Sequence, residues 1–162
     1  MVDAEGRGYG VIFLTFLVAY VLAVMPLPPW LQWVRPEWVA LTLIYWCIAL
    51  PHRVGIATGL LLGVGLDVLE GAVLGQNAFA LVVVALLSLI LYQRLRVYSL
   101  WQQAAVVFLL VGINQLICQW VQNLQDMSVL PSLFLLPAFS SALVWPVVLH
   151  VLRGLRRHYR VS

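Results

Sequence analysis

From about residue 9 to residue 152 the chain is a succession of apolar runs, and charged side chains fall almost only at their ends. That pattern decides the solvent. A soluble domain covers itself with charge, usually about 25% of its residues. Here 9% are charged and 64% hydrophobic, with a mean hydropathy of +1.00, so lipid has to be the surface solvent. In lipid every backbone polar group must be paired internally, which leaves helices or closed barrels. The runs are long and do not alternate, which argues helices. A hydrocarbon core of about 30 Å takes about 20 residues per helix, with a range of about 17–25. Spans are expected near 9–25, 37–51, 54–74, 77–93, 101–124 and 129–152. The expectation is an all-α membrane protein: one integral domain over residues 1–162, built as a six-transmembrane-helix bundle. Re-entrant or interfacial pieces within 37–74 are the alternative.

Punctuation supports these cuts. Pro26, Pro28 and Pro29 end the first run, Pro51 ends the second, and Gln125-Asp126-Met127-Ser128 separates the last two. Proline removes a helix donor and clashes with continuation. Pro137 and Pro146 fall inside the sixth run, where neighbouring helices can satisfy the freed carbonyls. The leading MVDAEGRG carries two acids and one arginine with no small-x-small cleavage site, so the first run reads as an uncleaved transmembrane helix. With the N-terminus inside, Arg7, Arg53, Arg94, Arg96, Arg153, Arg156, Arg157 and Arg160 fall on the cytoplasmic side and Arg35 alone outside. That is a strong positive-inside bias with both termini cytoplasmic. Trp30, Trp33 and Trp38 cluster where amphipathic rings prefer the headgroup layer. The basic RGLRRHYR tail suits an anionic inner leaflet. No stretch could form the basic stripe of a nucleic-acid binder.

The third run holds Gly55, Gly59, Gly63, Asp67, Gly71 and Gly75 at four-residue steps. Such a small-residue ridge winds by about 40° per step and lets another backbone come close, as in GxxxG crossings. Packing explains the glycines. The acid is different, because a carboxylate at mid-helix costs roughly 2.5–3.5 kcal/mol on insertion scales. Asp67 should face protein or trapped water. Glu70, three residues on, can share its face. The fifth run offers partners in Asn114, Gln115, Gln119, Gln122 and Asn123, with 115, 119, 122 and 126 at helical spacing. Depth counting places Gln115 level with Asp67 and Gln119 nearer Glu70. The third and fifth spans are therefore expected to face one another across a small polar interior, or to present it to a partner's helix. At the inner surface, Arg53 closes a tight turn, and Trp101, Gln102 and Gln103 belong to the longest inner loop. His150 reads as interfacial.

Chemistry is hard to find. GVGLD departs from the GxGD of intramembrane aspartyl proteases, no HExxH or nucleotide-binding glycine motif occurs, and no serine-histidine pair is arranged. Cys47 and Cys118 lack metal-ligand spacing and read as small core residues; Cys47 falls toward the inner side and Cys118 in the outer half, so no disulfide should join them. No cofactor or enzymatic activity is expected.

Four blocks together resemble the rod shape-determining protein MreD family: RPEWVAL at 35–41, YWCIALPHRVG at 45–55, GxxxDxxxGxxxG at 63–75 followed by NAFAL, and WQQAAVV at 101–107. Glu70 departs from the apolar residues of that family's pattern. The resemblance implies a bacterial inner-membrane subunit of the cell-elongation machinery. It would be a non-enzymatic scaffold that binds the single-span protein MreC and, through it, acts with MreB and the RodA/transpeptidase pair in sidewall peptidoglycan synthesis. The family's fold is similar to the substrate-binding subunits of energy-coupling-factor transporters. Asp67, Gly71 and Gly75 would then form a structural or partner-binding motif. Self-association stays open. The rival reading is a small-molecule-binding or transporter subunit with a polar pocket at Asp67, Glu70 and the fifth span.

Overall fold

Proline sets the first boundary. Helix α1 (Val2–Val24) stops ahead of Pro26, Pro28 and Pro29. The carbonyls left open at its end are taken by the Arg35 guanidinium, which donates to the oxygens of Ala23 and Met25. A cation there also complements the negative pole of the helix. The computed structural model describes residues 2–32, 34–71, 73–124 and 135–161. After one turn of helix, α2 (Pro29–Gln32), come α3 (Trp38–Ala49), α4 (Ile56–Glu70), α5 (Gln76–Val97), α6 (Leu100–Asn123) and α7 (Leu136–His158). No strand occurs among the described residues. Trp33 and the break expected at 125–128 lie outside them.

α1, α5, α6 and α7 are long and apolar enough to cross a membrane. α3 is not. At about 1.5 Å per residue its 12 residues reach only about 18 Å, against a hydrocarbon core of about 30 Å. Its surroundings explain how so short an apolar helix is accommodated: ten of its residues are buried, and it packs on α1, α5, α6 and α7. Protein rather than lipid is its neighbour, so its length need not match a bilayer. α4 lies outside this centre, packed mainly along α5, with Leu60, Leu61, Val64 and Val68 exposed on its other face.

Side-chain contacts pair the helix ends. Arg53, just after α3, stacks over the Tyr9 ring near the start of α1 at 5.0 Å. Arg96 at the end of α5 donates to the last carbonyls of α3, at Ile48 and Ala49 (2.9 and 3.0 Å). Gln103 early in α6 donates back to Leu95. These arginines share one end of the bundle. At the other end, Glu37 ahead of α3 meets α6 and α7, and the end of α4 meets the start of α5. Between them sits a core centred on Leu41, Ile44, Trp46, Leu81, Val84, Val107, Val111 and Trp145. Its two indoles are satisfied internally. Trp46 donates to the Thr15 hydroxyl (2.9 Å) and Trp145 to the Gln103 carbonyl oxygen (3.3 Å).

Candidate functional site

Asp67 lies one turn before the end of α4 and is 1% exposed. What shelters it is the start of α5. A helix leaves its first N–H groups without intrahelical acceptors, and the α5 set can be followed one by one. Oδ2 of Asp67 accepts from Gly75 N–H at 2.9 Å and, at the longer 3.5 Å, from Ala78 N–H. Oδ1 accepts from Asn77 N–H at 2.9 Å. Gln76 N–H donates to Val73 O, and from Phe79 onward the helix supplies its own acceptors. A carboxylate at this pole also gains from the helix dipole. Asp67 is thus an N-cap delivered from the preceding helix.

The glycines serve this junction in two ways. Gly71 (φ +65°) and Gly75 (φ +101°) hold the left-handed backbone that turns α4 into α5, and Gly71 N–H closes α4 on Asp67 O. Gly59 and Gly63 let the two helices touch. A Cβ on Gly63 would lie 2.5 Å from Ala78 N and 2.6 Å from Asn77 O, and one on Gly59 would lie 3.0 Å from Leu81 O. Behind α4, Gly65 makes room for Tyr20, whose hydroxyl donates to Leu62 O at 2.6 Å.

Asp67 and Gln115 therefore do not pair as the depth argument expected. α5 packs against both α4 and α6, and it intercepts the acid with its own backbone. Gln115 instead donates to Glu37 Oε1 at 2.6 Å. The Glu37 N–H donates to Ser141 Oγ at 3.0 Å. Glu37 so ties α3, α6 and α7 together, a role that sequence reasoning missed. Glu70 accepts from the Asn77 side-chain amide at 3.2 Å, and the Cys118 thiol donates to Asn77 Oδ1 at 3.5 Å. Asn77 is thus the polar link between Glu70 and α6. Asn114 is buried at 2% exposure with Oδ1 unpartnered. The Gln119 side chain has no hydrogen bond among the described residues, and Asp126 lies outside them.

The remaining candidates sit at the arginine end. Arg53 fits against Gly8, where a Cβ would meet its guanidinium. Gln102 completes a capping box with Ser99, accepting from Ser99 N–H at 3.2 Å. Gln103 is buried and bonded at both ends of its amide. Trp101 is 87% exposed.

Among the described residues, no group of three or more histidine, cysteine or acidic side chains could hold a metal ion. Cys47 and Cys118 are free and buried. Two clefts on the flanks of the bundle are almost wholly apolar. One, of ≈ 230 Å³, runs between α1, α3 and α7. A larger one, of ≈ 790 Å³, lies between α6 and α7, with Ala104, Ala105 and Ala142 flanked by Trp101, Phe108 and Phe139. Neither involves Asp67, Glu70 or the amides of α6.

Comparison with known proteins is consistent across the chain. The family model described as rod shape-determining protein MreD matches residues 6–155. The rod shape-determining protein MreD of Haemophilus influenzae is 34% identical over 146 residues, covering 90% of each chain. No solved structure matches.

Proposed function

Since this chain belongs to the MreD family of rod shape-determining proteins, with a role in rod shape determination, we propose that it fills that role as a non-enzymatic scaffold in the bacterial inner membrane. In this reading it binds MreC, acts through it with MreB and the RodA/transpeptidase pair, and supports sidewall peptidoglycan synthesis. Six helices would cross the membrane: the four long ones, with α3 inside the bundle and α4 on its flank completing the set. Eight arginines against Arg35 favour cytoplasmic termini, and put the Asp67 junction toward the periplasmic side.

The observation that carries the mechanism is the α6/α7 cleft. Helix association in lipid relies on close packing, because lipid tails are as apolar as leucine. A groove with three alanines between aromatic walls is the kind of surface against which a partner's single membrane helix gains contacts that lipid cannot match. The internal hydrogen bonds of Asp67, Glu70 and Gln115 favour this scaffold over a polar ligand pocket.

The test fills the groove. Ala105→Trp and Ala142→Trp should insert and purify normally yet fail to co-purify MreC, and cells relying on either should round. The same substitution at Leu61, which is exposed on α4 away from this groove, should leave both intact. Normal capture and normal rods with the groove filled would remove this mechanism.

A further inference from the structure

At the arginine end a cleft of ≈ 320 Å³ opens where α3, α5, α6 and α7 meet, lined among others by Tyr45, Arg96, Gln103, Trp145, Arg153 and Arg156. It differs from the two apolar clefts in being about half polar. A single buried water needs only about 10–15 Å³, so a polyatomic group has room. Gln103 accepts from Trp145 and donates to the carbonyls of Leu95 and Tyr98, which makes these two side chains wall rather than ligand. Arg96 is held in place by two carbonyls of α3 and by the Tyr92 ring at 5.2 Å. Arg156 is steadied by a long bond to Val161 O, 3.4 Å. Arg153 has no hydrogen bond among the described residues.

Three guanidinium groups thus border one cleft. The carboxylates whose side chains are described, Glu37, Asp67 and Glu70, are all at the opposite end. Like charges gathered together repel, and an anion between them relieves that. Guanidinium forks match phosphate oxygens bidentately, and the Tyr45 hydroxyl adds a neutral donor. The apolar α6/α7 cleft reaches the same end through Leu100, Trp101 and Pro146, giving acyl chains a surface beside a seated headgroup. We infer that Arg96, Arg153 and Arg156 form a binding site for a phosphate group, supplied by an anionic phospholipid of the surrounding leaflet.

The full-length protein, stripped of lipid in neutral detergent, is titrated with phosphatidylglycerol, cardiolipin or phosphatidylcholine, and retained lipid is counted by native mass spectrometry. One anionic lipid should be held well above phosphatidylcholine. R153Q/R156Q should weaken it about thirty-fold, the size expected for two basic residues facing an anionic headgroup. R157Q/R160Q removes the same charge outside the cleft and should change retention little. Arg153→Lys, which keeps charge but loses the fork, should fall between. Arg153 and Arg157 are both exposed, and matched unfolding midpoints exclude a folding defect. Retention that persists in millimolar inorganic phosphate supports a lipid site; displacement supports a phosphate site open to the free ion. Equal retention of phosphatidylcholine, or equal losses in the two double variants, would overturn the assignment.

Discussion

Asp67→Asn keeps the side chain's volume and one acceptor oxygen but replaces the other with an amide nitrogen, which can only donate. All three groups that meet this carboxylate are themselves donors. Whichever way the amide turns, at least one 2.9 Å bond becomes a donor facing a donor. Leaving a buried donor unsatisfied costs about 1–3 kcal/mol, and losing the charge at the helix pole costs up to about 2 kcal/mol more in a partly buried site. The weak 3.5 Å contact adds little. The sum is about 1–5 kcal/mol, localised at the α4–α5 junction. Hydrogen exchange reads it directly. If opening of this turn limits exchange, protection of the Gly75 and Asn77 amides should drop by about five-fold to a few thousand-fold, while that of α6 amides stays nearly unchanged. A second measurement separates the two possible partners. Asp67→Asn and Gln115→Leu should be additive in stability, since they share no contact. Unchanged protection at Gly75, or strong coupling between Asp67 and Gln115, would refute the cap.

Gly63→Ala should cost about 1–3 kcal/mol, as overpacking does, because its Cβ would press on the backbone of Asn77 and Ala78. Gly10→Ala, with open space around it, should instead be neutral or gain about 0.5–1 kcal/mol; chemical unfolding in mixed micelles compares them. Glu37→Gln retains an acceptor for Gln115, whereas Glu37→Leu leaves that amide unpaired. The leucine variant should unfold about 1–3 kcal/mol earlier than the glutamine one, and equal midpoints would remove Glu37 from the list of helix ties.

Much of the α4–α5 junction was legible as pattern but not as partnership. Four-residue spacing marked Gly63, Asp67, Gly71 and Gly75, and the cost of an acid in lipid required that Asp67 be sheltered. Its partner could not be read, because the strongest donors near it are backbone N–H groups and every residue carries one. The amides of α6 drew the expectation since side chains are what a sequence displays. One signal was available: a tight turn with two glycines brings the next helix's first turn, and its unpaired donors, within one turn of the acid. Glu37 was harder. It stands beside Arg35 and Pro36 ahead of an apolar run, where an acid reads as interfacial. Only the packing of α6 and α7 on α3 turns it inward.

The two ends of the bundle therefore solve opposite problems. At the carboxylate end, the described acids are met by donors from other helices: Asp67 by the start of α5, Glu37 by α6, Glu70 by Asn77. Those bonds set the positions of helices and occupy carboxylate oxygens. At the arginine end, Arg35's counterpart is Arg96, which likewise closes carbonyls at a helix terminus, but Arg153 and Arg156 border open space beside it. Carbonyl dipoles quench a guanidinium only in part, so net positive charge remains. Rigidity is built at one end and electrostatic attraction at the other, and the apolar clefts between them are what a partner helix in the membrane would meet.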